Sequence, residues 1–400
     1  MTFDPPDGWT RSTVGSFAPL SYGKGLPEKV RDPTGAVPVF GSNGKVGQHS
    51  EALVEGAGLV IGRKGSIGRV HRADGPFWPI DTTFFVAESS ERDTRFTYYL
   101  FKALEPSLAG MNTDSAVPGL NRDRAHAETI AVPPMVEQGR IGWVLGALDE
   151  KIAGNSRIAA VLEQIVATLF KALFVHFVDR DDLVESEVGP IPRRWETRPV
   201  GEVLRVVGGG TPSTKDPAYW DGGTHCWATP KDLSGLGEPI LLDTARHITD
   251  AGLERVSSGL LPPRTVLMSS RAPIGYTVIS LVPVAVNQGF IAIPPSDDVP
   301  SEYVLFWMRE NMERIKANAG GTTFAEISKR AFRPLPMLVP PEQALNDFGR
   351  TAAPLIDRIA ACVRENLRLI ALRDALLPRL VAGELRMDRP EVAEAAEVAP

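Results

Sequence analysis

The sequence is poor in cysteine and in long apolar runs, and each shortage excludes classes of protein. The 400 residues include two cysteines, Cys226 and Cys362. Two cysteines cannot form a disulfide framework, and the sequence places neither of them in a metal-ligand cluster. A reducing, cytoplasmic setting is therefore expected. Because no run of about 18 apolar residues occurs, we also expect no membrane-spanning helix and no membrane partner.

Recognisable catalytic and cofactor-binding motifs are also lacking. The sequence contains no GxxxxGK[ST] loop for nucleotide phosphates and no GxSxG element for a serine nucleophile. Its six histidines show no paired spacing of the kind that binds metal ions. We therefore predict no catalytic residue, no metal ion and no cofactor in this chain, which favours a binding protein.

An excess of positive charge is missing as well. The chain has 43 lysines and arginines against 49 acidic residues, a formal net charge of -6. This balance argues against a uniformly basic protein that coats nucleic acid. The segment 179–190 carries five acidic side chains and one basic side chain, and the end of the chain is rich in alanine, glutamate and proline. The remaining segments are close to neutral, so a local basic face remains compatible with DNA binding.

What the sequence does contain is an internal repeat. Ile67-Gly68 corresponds to Ile274-Gly275, and the Pro-Pro pair at 133–134 corresponds to the pair at 340–341, an offset of 207 in both cases (274 minus 67, 340 minus 133). Each half begins with short apolar runs among glycines and prolines, typical of a mixed domain of short strands and few helices. The Pro-Pro pair then precedes a long helix.

Both long helices carry an apolar seam that repeats every seven residues. About 40 residues correspond to a rod of roughly 60 Å, and two such rods in one chain are expected to pack on each other as an antiparallel pair. Asn155 and Asn366 interrupt the seams and are expected to set the helix register, whereas Arg373 is expected to face a partner subunit. A single large domain with ordinary core helices is the alternative. The predicted helix-pair interface consists of Leu145, Leu148, Ile152, Leu162, Val166, Leu169, Leu355, Ile359, Leu369 and Leu376.

Polar, glycine-containing loops within both halves are candidates for DNA contact. Arginine and lysine bind phosphates or guanine edges, and asparagine and glutamine pair with adenine edges. Most loops of this composition are plain turns, so the alternative is a structural role. The predicted DNA-binding residues are Asn43, Lys45, Arg63, Lys64 and Ser66 in the first half, and Thr211, Ser213, Lys215, Thr229, Lys231, Ser270, Arg271, Asn287 and Gln288 in the second.

The order of the motifs resembles the specificity subunit of type I restriction-modification enzymes, over roughly residues 8–385. Trp9 and Trp195 begin the two halves in the manner of the target recognition domains of that family. Residues 41–44 with 60–68, and residues 210–213 with 227–233, are similar to two versions of such a domain. Residues 117–121 are similar to the end of the domain, and 372–380 to the second helix.

The resemblance implies an α+β fold, with two pseudo-symmetric mixed α/β target recognition domains separated by an antiparallel pair of long coiled-coil-like helices. The expected boundaries are 1–132 for the first domain, 133–178 for the first helix, 179–190 for an acidic linker, 191–339 for the second domain, 340–382 for the second helix and 383–400 for a disordered acidic tail.

The resemblance also implies a function without catalysis. Each domain would read one half of a bipartite, asymmetric site in double-stranded DNA. The helices would set the spacing and dock methyltransferase subunits, two of them in the expected complex, and restriction-translocase subunits would join. S-adenosylmethionine, ATP and Mg²⁺ would bind those partner subunits and not this chain. The alternatives are a coiled-coil scaffold or adaptor without DNA reading, and an enzyme with an unrecognised site.

Overall fold

In the computed structural model of the chain, residues 5–111, 119–321 and 325–387 are described. The chain divides into two compact units, one formed by residues 1–153 and 367–400 and the other by residues 154–366. Both units contain sheets, and two helices of 40 residues contribute to each of them. The predicted fold class is therefore confirmed, since the chain combines two mixed, sheet-containing domains with long helices. The predicted motif at 117–121 lies outside the described residues at positions 117–118.

Short strands dominate the first unit. Its strands are β1 (Thr10–Thr13), β2 (Ser21–Tyr22), β3 (Val37–Gly41), β4 (Gly44–His49), β5 (Gly58–Gly62), β6 (Val70–Ala73), β7 (Trp78–Pro79), β8 (Thr83–Ala87) and β9 (Thr129–Val132). Its helices are α1 (Val14–Phe17), α2 (Thr94–Gly110), α3 (Arg122–Ala127) and the first part of α4 (Met135–Phe174). Helix α2 begins after Asp93, whose carboxylate accepts the amide of Phe96 at 2.7 Å and so caps the helix.

Three small sheets organise the first unit. A four-stranded antiparallel sheet has the order β2-β8-β5-β6. A second sheet, β4-β3-β7, combines the β3–β4 hairpin with a parallel partner, β7. In the third, β1 pairs with β9 from Thr10 opposite Val132 to Thr13 opposite Thr129. This last pairing joins the start of the domain to its end, directly before α4.

The second unit repeats this plan. Its strands are β10 (Leu183–Val184), β11 (Ile191–Pro192), β12 (Glu196–Pro199), β13 (His225–Ala228), β14 (Ile240–Leu241), β15 (His247–Ile248), β16 (Thr265–Ser269), β17 (Thr277–Ser280), β18 (Val284–Val286), β19 (Phe290–Ile293) and β20 (Pro336–Val339). Its helices are α5 (Val200–Val203), α6 (Pro230–Leu233), α7 (Asp250–Leu253), α8 (Ser301–Glu310), α9 (Met312–Ala317), α10 (Lys329–Phe332), the second part of α4 and the first part of α11 (Glu342–Val381), whose end belongs to the first unit.

Strand pairing makes the correspondence between the units explicit. The sheet β14-β17-β16-β19 contains the equivalents of β6, β5 and β8 in the first unit. In the sheet β15-β13-β18, strand β18 is parallel to β13, as β7 is to β3. Strands β12 and β20 pair antiparallel, as β1 and β9 do. The internal repeat in the sequence is therefore a repeat of the fold.

The two long helices pack side by side within each unit. In the first unit, Asp149 of α4 accepts Arg373 of α11 at 2.7 Å, so the expectation that Arg373 faces a partner subunit is wrong. In the second, Asn155 donates to Asn366 at 3.0 Å, and the rings of Phe170 and Phe348 lie 6.0 Å apart. Because later residues of α4 meet earlier residues of α11, the helices run antiparallel.

The seam side chains are buried to different depths. Leu145, Val166 and Ile359 are fully buried, and the other predicted interface residues are half-buried: Leu148, Ile152, Leu162, Leu169, Leu355, Leu369 and Leu376. Leu173, which continues the seven-residue pattern, is exposed, and the core takes Phe170 and Phe174 instead. An α-helix drifts by about 20° per heptad relative to a strict seven-residue repeat, and this drift moves the contact face.

Part of the predicted tail belongs to the packed structure. Residues 383–387 were expected to be disordered, but Met387 is buried and Arg386 contacts Glu137 at 3.1 Å. Leu385 and Met387 pack in the core of the first unit, and burial of their apolar side chains stabilises this segment despite the acidic composition of the tail. Residues 388–400 of the predicted tail lie outside the described residues.

Candidate nucleic-acid interface

Two of the predicted loops of the first unit come together at one end of its sheets. Ser42 and Asn43 form the two-residue turn between β3 and β4, and Gly44 accommodates its positive φ of 107°. The Ser42 hydroxyl donates to the carbonyl of Lys64. Ser66 donates to the Asn43 side chain at 3.5 Å. Asn43 and Lys45 are exposed, so this pair of loops presents amide, hydroxyl and basic groups on one surface.

Arg63 is held in place by stacking. Its guanidinium lies 5.0 Å from the centre of the Tyr22 ring, and it donates to the carbonyl of Asp81 at 3.2 Å. The guanidinium of Arg122 also lies 5.0 Å from the centre of that ring. Tyr22 is 49% exposed, so an aromatic face with two cations remains at the surface. Tyr22 and Arg122 are absent from the sequence-based prediction.

The loops of the second unit meet around the turn at 287–289. Gln288 accepts the Thr211 hydroxyl at 2.6 Å, which joins the loop at 210–215 to this turn. The amide of Asn287 donates to the carbonyl of Ala228 at 3.0 Å, shortly before helix α6, which carries Lys231. Thr211, Ser213, Lys215, Lys231 and Gln288 are exposed, and they form the available surface of this cluster.

Of the predicted contacts of the second unit, one is buried and three make hydrogen bonds or ion pairs within the protein. Ser270 is 2% exposed, which argues against the predicted contact of its side chain with DNA. The Thr229 hydroxyl donates to Asp232 at 2.6 Å as part of the cap of α6. Asn287 accepts the amide of Gly289 at 2.8 Å, and Arg271 lies 3.7 Å from Glu326. Asn287 and Arg271 are half-buried at the edge of the cluster.

The same hydrogen bonds build both clusters. In the first unit, the amide of Arg63 donates to the carbonyl of Thr82 at 2.9 Å, and the amide of Leu120 donates to the carbonyl of Arg63 at 2.8 Å. In the second unit, the amide of Ser270 donates to the carbonyl of Gly289 at 2.8 Å, and the amide of Ile327 donates to the carbonyl of Ser270 at 3.0 Å. Every one of these residues is shifted by 207 positions between the units (270 minus 63, 289 minus 82, 327 minus 120). The loop frame is thus common to both units, while the exposed side chains differ.

A stack of aromatic and basic side chains lies beside the second cluster and was missed in the sequence. The guanidinium of Arg246 lies 3.5 Å from the centre of the Trp220 ring, and Trp220 packs edge-on against Trp227 with ring centres 5.0 Å apart. The Trp227 indole donates to the carbonyl of Gly210 at 3.1 Å, which links the stack to the predicted loop. No local sequence pattern connects positions 220, 227 and 246. The alternation of aromatic and basic residues along this stretch is the one feature of the sequence that could have indicated the stack.

The fold places two potential metal ligands beside Cys226, which the sequence does not indicate. The fold brings Asp243 and His247 next to it, with the Cys226 sulfur 3.5 Å from the Asp243 carboxylate and 3.7 Å from Nε2 of His247. Burial of the thiol raises the pKa of Cys226 above its ordinary value, and the neighbouring Asp243 carboxylate raises it further, against the opposite effect of the hydrogen bonds with Thr244. Within the described residues, no helix is long and apolar enough to cross a membrane.

Comparison with known families identifies the class of the protein. The family described as the type I restriction modification DNA specificity domain matches residues 6–164 and again residues 192–347. The chain therefore belongs to this family and contains its domain twice. The two matched regions contain the two loop clusters.

Individual relatives carry related names. The chain is 39% identical over 155 residues to the type I restriction enzyme MjaIX specificity subunit of Methanocaldococcus jannaschii, a region that covers 38% of this chain and 36% of that protein. It is 21% identical over 347 residues to the HindI specificity subunit of Haemophilus influenzae, covering 71% and 74%. The type I restriction-modification S subunit from M. genitalium shares the fold with a TM-score of 0.67 at 16% identity, over 95% of this chain and 98% of that one.

Proposed function

We propose that this chain is the DNA specificity subunit of a type I restriction-modification complex, and that each of its domains reads one half of a bipartite site. The observation that carries the proposal is the repeated loop cluster, in which a common frame of main-chain hydrogen bonds displays different polar and basic side chains in each unit. Side chains of this kind contact phosphates and base edges. Because the displayed residues differ between the units, the two half-sites differ and the complete site is asymmetric.

The long helices suit attachment to other subunits. On α4, Ile158, Val161 and Ile165 are 42%, 56% and 48% exposed. Their spacing of three and four residues places them on one face of the helix. An apolar stripe on a helix is a typical protein-binding surface. We assign this face to a methyltransferase subunit, and the repeated architecture favours two such subunits.

The chemistry is assigned to the partner subunits. The complex is proposed to methylate adenine with S-adenosylmethionine bound to the methyltransferase subunits. Restriction-translocase subunits would use ATP and Mg²⁺ to cleave unmodified DNA, all within the cytoplasm. This chain supplies recognition of double-stranded DNA and the spacing between the half-sites.

Methylome sequencing of the source organism tests this function directly. With the gene intact, we expect adenine methylation at one asymmetric sequence that is divided by a fixed spacer. Deletion of the gene should abolish that methylation, and re-introduction should restore it. An unchanged methylome would contradict the proposal and would favour a scaffold protein without DNA reading.

A charge-removal variant tests the loop clusters. In the assembled complex, each lost phosphate contact lowers the dependence of log affinity on log salt by about 0.9, so four lost contacts lower this slope by up to about 3.6. The variant replaces four basic residues of the clusters with alanine: Arg63, Lys64, Lys231 and Arg271. A control replaces four basic residues that form surface ion pairs outside the clusters: Arg95, Arg198, Lys316 and Arg350. Equal slopes for the two variants would show that these loops do not hold DNA.

A further inference from the structure

Three potential metal ligands converge at the edge of the second loop cluster. Cys226 of β13 lies directly opposite His247 of β15 in the antiparallel ladder, so both side chains occupy the same face of the sheet. Asp243 precedes His247 by four residues, and its carboxylate lies 2.9 Å from Nε2 of His247. From this geometry we propose that Cys226, Asp243 and His247 bind a zinc ion through the sulfur, one carboxylate oxygen and Nε2.

The two separations that involve the sulfur are close to those of a tetrahedral zinc site, while the nitrogen and oxygen are at hydrogen-bond distance, and the ion would replace that hydrogen bond. Zinc binds cysteine sulfur at about 2.3 Å and histidine nitrogen or carboxylate oxygen at about 2.0–2.2 Å. With tetrahedral angles, those bond lengths place pairs of ligand atoms about 3.3–3.6 Å apart. The observed separations are 3.5 Å for sulfur to oxygen, 3.7 Å for sulfur to nitrogen and 2.9 Å for nitrogen to oxygen. Shifts of a few tenths of an ångström therefore complete the site.

The surroundings fit three protein ligands and a solvent molecule. The Asp243 side chain is 70% exposed, so water reaches the fourth position. His225, the neighbour of Cys226, is 2.7 Å from Asp250 and is engaged there. A thiolate and a carboxylate together balance the double charge of the zinc ion. Binding releases the thiol proton, so the affinity rises with pH.

A zinc ion at this site would fix the segment that carries Arg246. The amide of Trp227 donates to the carbonyl of Arg246 and to the Thr244 hydroxyl, both at 3.1 Å. Asp243 and His247 flank Thr244 and Arg246, so their attachment to β13 ties the segment at both ends. The ion would thus hold the cation that stacks on Trp220. The use of Arg246 in DNA reading rests on the proposed function, whereas the binding of zinc by these three residues does not.

Cobalt and zinc titration of the full-length chain tests the site. The chain is stripped of metal, kept reduced with a phosphine and titrated with Co²⁺. We expect one equivalent to produce the intense visible bands of tetrahedral cobalt and a thiolate-to-cobalt charge-transfer band. Zinc should displace the cobalt stoichiometrically. Absence of saturable binding would overturn the proposal without bearing on DNA reading, which the methylome measures separately.

Variants separate this site from adventitious binding. Loss of an outer partner of a metal ligand weakens affinity about 10–100-fold, so Cys226→Ser and His247→Gln should weaken it at least about 100-fold. Two controls should retain the wild-type titration: His225→Gln, adjacent in sequence but bonded to Asp250, and Cys362→Ala, the other cysteine. Circular dichroism verifies that each variant is folded. If the Cys226→Ser variant bound Co²⁺ with the wild-type affinity and spectrum, the assignment would be wrong.

Discussion

Glu137 provides a quantitative test of how the first unit is closed. This residue in the first turn of α4 is 4% exposed. Its carboxylate accepts the indole N–H of Trp9 at 2.9 Å, the guanidinium of Arg386 at 3.1 Å and the amide of Met387 at 3.3 Å. One buried carboxylate therefore joins the beginning of the domain to residues 383–387. Replacement by glutamine keeps the shape and removes the charge.

The expected cost follows from the number and kind of contacts. A hydrogen bond to a charged group contributes about 1.5–3 kcal/mol, and breaking a buried ion pair costs about 3–5 kcal/mol. The glutamine carbonyl still accepts from Trp9, and Arg386 keeps its bond to the carbonyl of Asp7 at 2.9 Å. We therefore take the lower range, and expect Glu137→Gln to destabilise the local structure by about 1.5–3 kcal/mol.

Hydrogen exchange measured by mass spectrometry reports this local opening. Where exchange follows the opening equilibrium, 1.5–3 kcal/mol corresponds to exchange about 10–140 times faster in peptides that cover residues 5–12 and 383–387. The control is Glu150→Gln on the same helix. Glu150 pairs with Arg95 at the surface, and exposed pairs contribute at most about 1 kcal/mol. If Glu137→Gln accelerated exchange no more than the control, the buried carboxylate would not be the closing contact.

Three further predictions concern the loop frame, the helix register and the modularity of the domains. A Cβ at Gly209 would lie 1.6 Å from the carbonyl oxygen of Val286, so Gly209→Ala should lower the free energy of unfolding by about 1–3 kcal/mol in a denaturation experiment. The control is Gly235→Ala, where a Cβ would enter open space and the change should be nearly neutral. Asn155→Leu should cost about 1–3 kcal/mol because the buried side-chain oxygen of Asn366 loses the amide donor of Asn155. The variant with leucine at both positions should cost less than the sum of the single changes, and strict additivity would contradict coupling. Exchange of residues 191–339 for the domain of another family member should change only one half of the methylated sequence, because β12 and β20 pair and so close the exchanged segment as one domain. Changes in both halves of the sequence would refute independent reading by the two domains.

The sequence predicts those features that repeat or that are periodic. The offset of 207 between the halves anticipates equivalent hydrogen bonds at Arg63 and Ser270, and the seven-residue pattern anticipates the two long helices. The same offset does not reveal burial. Ser270 occupies the place of a half-exposed arginine, yet Ser270 is buried.

Contacts that depend on strand pairing could not be predicted from the sequence. The pairing of β13 with β15 brings Cys226 beside His247, and neither periodicity nor local spacing indicates that register. The stack of Arg246 on Trp220 arises in the same way, since the two residues are 26 positions apart. Packing of residues 383–387 was hidden because composition averages over a tail in which a few apolar side chains decide the outcome.

Because the loops dock through main-chain atoms, their exposed side chains can change without loss of the hydrogen bonds that hold the loops in place. The amides at positions 63 and 270 donate to carbonyls whatever side chain they carry, and proline is the only residue type without that N–H. Point substitutions at the exposed positions of the clusters thus alter the chemistry offered to a base edge while the frame persists. If the clusters read DNA as proposed, such a domain can acquire a new target by successive single changes within the same frame of main-chain hydrogen bonds.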